Sequence, residues 1–118
     1  TKTIEFLTTQ HIHWIAGLVE GEGCFYMQSD SRWNNYNPIL TVGMTDKDTV
    51  ERLQSYIGGN FWQLASRGKP IFRLSLSGSR AVSVMMTLYT LMGQRRKAKI
   101  RELITRWKEK PNRRGERP

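Results

Sequence analysis

Ile15-Ala16-Gly17-Leu18-Val19 runs without a spacer into Glu20-Gly21-Glu22-Gly23, and an aromatic, strand-like segment, Cys24-Phe25-Tyr26, begins at once. This juncture constrains the chain more than any other. A helix must hand over directly to a strand at a point that carries two carboxylates. Anions at a helix C-terminus oppose the macrodipole, each at a cost of roughly 0.3–1 kcal/mol. Glycine inside a helix costs about 1 kcal/mol against alanine. A segment that breaks several local rules together marks a functional site rather than a structural one. A bound cation is the simplest compensation, because it turns repulsion between the carboxylates into coordination.

Length and charge bound the partners. The chain has 118 residues, enough for one domain with a single hydrophobic core. That domain is expected over residues 1–110, with 111–118 a basic tail of disordered composition. Nineteen Lys and Arg against ten Asp and Glu leave a formal charge of +9, which points to a polyanion. Nucleic acid comes first and an anionic membrane surface a distant second. No apolar run approaches the ~20 residues of a membrane span, and no signal-like segment follows the start. The expected setting is intracellular, cytoplasmic or at the nucleoid. Cys24 is the sole cysteine, and with His11 and His13 it makes too few ligands for a Cys/His zinc site. The histidines lie on opposite sides of the first helix, and Met85, Met86 and Met92 read as core fillers.

Periodicity gives the order of elements. Thr8 or Thr9 can cap a first helix that runs to about Gly21, with Leu7 and Ile12 as a hydrophobic staple. Ile12, Ile15, Ala16 and Val19 form its buried stripe. A second uncharged stripe, Gln10, Trp14, Gly17 and Gly21, needs another surface, and glycines four apart permit close backbone approach. That surface is expected to be the same helix of a second copy. Strands follow over about 24–29 and 39–44, with Pro38 admissible only at the strand's beginning. Thr45 is expected to cap a helix ending at Gly58, and strands 60–65 and 71–76 to form a hairpin. A Met-rich helix reaches about Met92, and a last one covers about 95–109. The sum is an α+β domain, αββαββα(α), with a four-stranded antiparallel sheet and helices on one face.

Ile15 to Gly23 resembles the LAGLIDADG motif of homing endonucleases, in the variant with Glu at both acidic positions. The continuation, Thr41 to Asp48 with Val50-Glu51-Arg52-Leu53 and Ile57-Gly58-Gly59, resembles the strand–helix segment that follows the motif in that family. With one motif per chain, the resemblance implies a homodimer on double-stranded DNA. It also implies Mg²⁺-dependent cleavage of both strands of a long near-palindromic site, leaving 3′ overhangs, in proteins often encoded within introns. It makes Glu22 the metal ligand, assisted by the backbone oxygen of Gly21, and Glu20 a structural residue that hydrogen-bonds near the helix end. Asp46 falls where the family places a polar side chain that orders water around the metal. Gln94 and Arg95 fall where it carries a basic group against the scissile phosphate. Independently of the resemblance, Glu22 is expected just past the helix end, where its carboxylate can leave the apolar crossing. Two copies crossing at Trp14, Gly17 and Gly21 would bring their Glu22 carboxylates together, which without a cation cannot both stay ionised.

Strand alternation sorts the remaining candidates. With Phe25, Met27, Leu40, Val42, Met44, Phe72, Leu74 and Leu76 inward, the outward set is Cys24, Tyr26, Gln28, Ile39, Thr41, Gly43, Ile71, Arg73 and Ser75. Gln63, Ala65, Arg67 and Lys69 are expected beside it, and Arg32 and Trp33 on the first hairpin loop extend it. A β surface of this kind can enter the major groove, where Arg pairs with guanine and Gln with adenine. Two other readings stay open: a sequence-specific DNA-binding regulator without cleavage, and an RNA splicing maturase.

Overall fold

Thr8 opens the first helix with a reciprocal cap. Its hydroxyl accepts from the His11 amide at 3.1 Å, while His11 Nδ1 accepts from the Thr8 amide at 3.2 Å, so histidine fills the usual Glu or Gln role. The computed structural model describes residues 7–30, 35–65 and 67–109. Arg32, Trp33, Ser66 and the 111–118 tail therefore lie outside the described residues. Helix α1 spans Thr9–Glu22 and buries Ile15, Ala16 and Val19, and Leu7 and Ile12 pack against the same core.

The elements then follow as β1 (Gly23–Asp30), β2 (Asn35–Met44), α2 (Lys47–Ile57), β3 (Asn60–Leu64), β4 (Ile71–Ser77), α3 (Gly78–Leu88) and α4 (Gln94–Glu109). One antiparallel sheet runs in the order β1-β2-β4-β3. Phe25, Leu40, Val42, Phe72, Leu74 and Leu76 share a single cluster with Val50 and Leu53 of α2, Val84 and Met85 of α3, and Ile100 and Leu103 of α4. All four helices thus cover one face of the sheet, and the α+β architecture is as the sequence predicts.

Four local differences have physical causes. Asp46, not Thr45, caps α2, its Oδ1 accepting from the Thr49 amide at 3.3 Å; a carboxylate suits that end of the dipole. Pro38 stands inside β2 rather than at its start. It pairs with Met27 of β1, beyond the stretch where β2 also pairs with β4, so its missing N–H interrupts no second ladder. The Met-rich helix stops at Leu88, and Tyr89–Leu91 tightens into a 3₁₀ turn before Gly93. Met85 and Met92 are buried, but Met86 faces solvent at 62% exposure, on the opposite side of α3 from the core.

Gly58 and Gly59 link α2 to β3 with φ of 74° and 105°. A Cβ on Gly59 would lie 2.8 Å from the Ser75 carbonyl oxygen and 2.8 Å from Leu76 Cδ1, whereas Gly68, at φ 79°, has open space around it. Gly68→Ala should cost about 1 kcal/mol from its dihedral alone. Gly59→Ala should cost about 2–3 kcal/mol, because a ladder oxygen cannot move aside. Urea denaturation of the two variants checks the difference.

Candidate active site and nucleic-acid interface

The end of α1 is held by its first acidic residue. Glu20 Oε1 accepts from the Gly93 amide at 2.8 Å, and Gly93 in turn opens the first turn of α4 through its carbonyl, which accepts from the Lys97 amide at 2.9 Å. The carboxylate that opposes its own helix dipole therefore sits at the favourable N-terminus of another helix. Arg96 returns from α4. Its Nε donates to the Glu20 carbonyl at 3.1 Å, stands 3.6 Å from Glu20 Oε2, and its guanidinium lies 5.7 Å from the Phe25 ring centre. A cation thus meets the C-terminal carbonyls of α1, where the dipole favours it. Glu20 is structural, as expected.

Glu22 is the last residue of α1 rather than one just past it; Gly23 is its C-cap, with its amide bound to Val19 O. The Glu22 side chain is exposed and, among the described residues, makes no hydrogen bond or ion pair. Residues two apart on a helix point to nearly opposite sides, so Glu20 turns into the protein while Glu22 turns out. Gly21 is exposed beside it, and its carbonyl belongs to the last turn, where no intrahelical donor remains. Among the described residues no cluster of three or more His, Cys, Asp or Glu could hold a metal ion. One chain therefore supplies a carboxylate and a backbone oxygen, both hard donors suited to Mg²⁺ or Ca²⁺, but an incomplete shell.

The other expected site residues gather at this end. Gly23 pairs with Val42, so β1 begins where β2 ends, and Asp46 follows at that end, exposed, with one carboxylate oxygen engaged as the α2 cap. Gln94 and Arg95 open α4 directly after Gly93 and are both exposed. Of the basic run, Arg96 is committed to Glu20, and Lys97 lies 5.7 Å from the Tyr89 ring centre. Arg95 makes no hydrogen bond or ion pair among the described residues.

The sheet face away from the helices carries most of the expected contacts. Cross-strand rows place Cys24, Thr41, Ser75 and Asn60 together, then Tyr26, Ile39 and Ser77, with Gly43, Arg73 and Trp62 nearest the α1 end. Arg67 and Lys69 are exposed on the β3–β4 loop, and Gln28 is exposed at the far end of β1. Two expectations need correction. Ile39 lies on this face but is only 4% exposed, flanked on both sides by Tyr26 and Ser77 in the middle of the sheet, so it offers little to a ligand. Gln63 pairs with Phe72 and belongs to the helix side. The outward residues of β3 are Asn60, Trp62 and Leu64. Adjacent aromatics at 61 and 62 erase the alternation that would have shown this, and Trp62, 38% exposed, was missed for that reason.

The second stripe of α1 is open. Gln10, Gly17 and Gly21 are exposed, and an added Cβ at Gly17 or Gly21 would meet nothing within 4 Å. Trp14 is half-buried: Tyr56 meets its edge at 5.7 Å and the Arg52 guanidinium lies 4.1 Å over the ring. Beside Gly17 a groove of about 550 Å³ runs between α1 and α2, bordered by Trp14, Leu18, Thr49 and Arg52.

No family model matches the sequence, and no curated protein matches it. Solved structures do. The chain is similar to the homing endonuclease I-CvuI in complex with its target in the presence of Ca, at a TM-score of 0.69 and 18% identity, over 87% of this chain and 69% of that one. The homing endonuclease I-TnaI superposes at 0.61 with 16% identity, over 80% and 69% of the two chains. The LAGLIDADG meganuclease I-AabMI bound to uncleaved DNA superposes at 0.63 with 14% identity, over 82% of this chain and 35% of that one. The fold is that of the LAGLIDADG homing endonucleases.

Within this LAGLIDADG fold the two acids of the motif divide their work, one holding α4 in place and one left free. Sequence reasoning did not find Gly93 or the inward commitment of Arg96. Their partner is 73 and 76 residues away, and no local pattern encodes that separation. Glu20→Ala should lower stability by about 1–3 kcal/mol, since the Gly93 amide loses its acceptor and Arg96 its ion pair, while the bond of Arg96 to the carbonyl of residue 20 remains. Glu20→Gln should recover part of the loss by keeping the acceptor for Gly93. Chemical denaturation of both variants measures the difference.

Proposed function

We propose that this chain is the subunit of a site-specific homing-type DNA endonuclease that cuts both strands of a long, near-palindromic duplex as a Mg²⁺-dependent homodimer. The observation that carries the reading is Glu22: a carboxylate left without a partner among the described residues, at the end of the helix whose outer stripe is also bare. Two α1 helices crossing at Gly17 and Gly21 would bring two Glu22 side chains and two Gly21 carbonyls to one axis. The incomplete shell of each chain would then be completed by the other.

A divalent cation held there would supply a water of lowered pKa and neutralise charge on the phosphate. The protein does the positioning. Glu22 and Gly21 O are the groups that would hold the ion, and the free oxygen of Asp46 would orient water at the mouth of α2. Arg95, with Gln94, meets the phosphate from the first turn of α4, where both side chains are exposed. The outer sheet face lies in the major groove on each side, and the charge of +9 draws the duplex in.

The decisive experiment incubates the protein with a randomised duplex library, once with Mg²⁺ and once with a chelator, and sequences new ends. Paired ends that need Mg²⁺ support the reading, and their absence rejects the nuclease. Glu22→Gln should reduce cleavage by about 10²-fold or more while duplex binding changes little; filter binding and gel cleavage separate the two. Gly17→Leu has room within the monomer and raises helix propensity by under ~1 kcal/mol. It should therefore stay folded with the secondary structure of the parent, checked by circular dichroism, while losing the concentration-dependent part of the parent's melting temperature; it should sediment as a monomer and lose double-strand cleavage.

A further inference from the structure

A cleft of about 380 Å³ opens between α4 and the edge of the sheet. The flank of α4 that forms it carries Arg95, Ala98, Lys99 and Glu102, at the i, i+3, i+4 and i+7 spacing of one helix face. Its floor is Phe25 of β1, only 4% exposed. β1 is an edge strand, so its outer amides have no ladder partner among the described residues. Arg96 closes the back of the cleft. Its side chain is 12% exposed and its Nε is taken up by Glu20, but its two terminal nitrogens make no hydrogen bond among the described residues. Ala98 contributes only a methyl group, which leaves the middle of this flank open.

Four cations face two carboxylates along this flank. Glu20 is shared between Arg96 and the Gly93 amide, and Glu102 stands 3.7 Å from Lys99 and 3.8 Å from Arg106, all three side chains well exposed. Arg95 has no partner among the described residues. Exposed pairs such as Lys99–Glu102 are weak, so the ammonium can leave its acid for a more highly charged acceptor. Guanidinium and ammonium donors above an apolar floor suit a phosphate monoester, because the shielded wall strengthens each charged contact. The reaction assigned above makes such a group. A water oxygen bonds to phosphorus, the bond from phosphorus to O3′ breaks, and O3′ takes a proton to leave as a 3′-hydroxyl. The phosphorus stays on the 5′ end as a monoester, whose second ionisation at about pH 6 gives it a charge that the intact diester never has.

We propose that the cleft between α4 and β1 is a product site, which takes the 5′-phosphate end that cleavage frees. The proposal rests on the endonuclease reading and goes beyond it by giving the cut end a place of its own on the protein. Arg95 is the lip of the cleft, already set against the scissile phosphate, and Lys99 and the terminal nitrogens of Arg96 are the donors inside. Because the monoester carries more charge than the diester, the cleft holds product more tightly than substrate. It therefore slows release of cut ends and contributes nothing to the cut itself. Lys99 and Ala98 shape binding of the product and stand outside the catalytic machinery.

The binding test needs no target sequence. The full chain, labelled with ¹⁵N and kept in chelator so that no metal recruits phosphate, is titrated with a short single-stranded oligonucleotide bearing a 5′-phosphate. The same oligonucleotide with a 5′-hydroxyl, and inorganic phosphate, are the other arms. The phosphorylated oligonucleotide should bind about 5- to 10-fold more tightly than its hydroxyl counterpart and shift the amides of Phe25, Ala98 and Lys99. Inorganic phosphate should shift the same amides more weakly; binding as tight as that of the phosphorylated oligonucleotide makes free phosphate the ligand and overturns the product role. Lys99→Gln and Ala98→Leu lie outside the core and should each abolish the preference. The second keeps every charge and a good helix former, so only the filled space can account for its loss. On a duplex recovered from the cleavage library, Lys99→Gln should raise steady-state turnover and leave the single-turnover rate unchanged, a split that a merely structural lysine does not give. Equal binding of the two oligonucleotides, shifts confined to other surfaces, or a preference that survives both variants overturns the proposal and leaves the endonuclease reading standing. A preference for the 5′-phosphate in a protein that yields no Mg²⁺-dependent ends overturns the product role together with the nuclease.

Discussion

The bond from Glu20 to the Gly93 amide, closed by Arg96, is the constraint on which the site depends. It ties the last turn of α1 to the first turn of α4 across more than seventy residues of chain. In doing so it answers a local conflict. A carboxylate unfavourable for the helix that carries it becomes favourable for the helix it touches, and a guanidinium takes its place at the C-terminal carbonyls. Because α1 passes into β1 through Gly23 with no loop, fixing that turn also fixes the sheet edge and the direction in which Glu22 leaves.

With Glu20 committed, the remaining groups at this end are unusually free. Glu22 and Arg95 make no polar contact among the described residues, and Asp46 uses one oxygen as a cap. The bare Gly17 and Gly21 lie along the same helix. Solvated charges and bare glycines cost the single chain little, so its own fold does not call for this arrangement. Their common location is consistent with a surface finished by a second chain and by a polyanion.

The outer sheet face shows a second division of labour. The inner face builds the core with all four helices, while the outer one mixes hydroxyls, a thiol, aromatic rings and a guanidinium. Ile39 has moved out of reach under its neighbours, so the face is less apolar than alternation alone implies. Polar variety on a rigid, twisted surface is what groove recognition requires, because each row can differ without disturbing the packed side.

Much of this was legible in the chain. The αββαββα(α) order, the buried stripe of α1, the inward set of β1, β2 and β4, and the structural role of Glu20 all follow from periodicity or from the motif that carries them. They are local properties, set by side chains two, three or four residues apart. What stayed hidden is what joins distant segments: the partner of Glu20, the inward turn of Arg96, the side on which Trp62 lies and the burial of Ile39. Each depends on which strand or helix becomes a neighbour, and a contact between elements leaves no period in either one. The sequence by itself determined the elements, their amphipathic faces and the abrupt helix-to-strand juncture. Only the tertiary structure decided which of the juncture's charges is consumed in holding the fold and which remains for chemistry, because that choice is made by groups brought together from far along the chain.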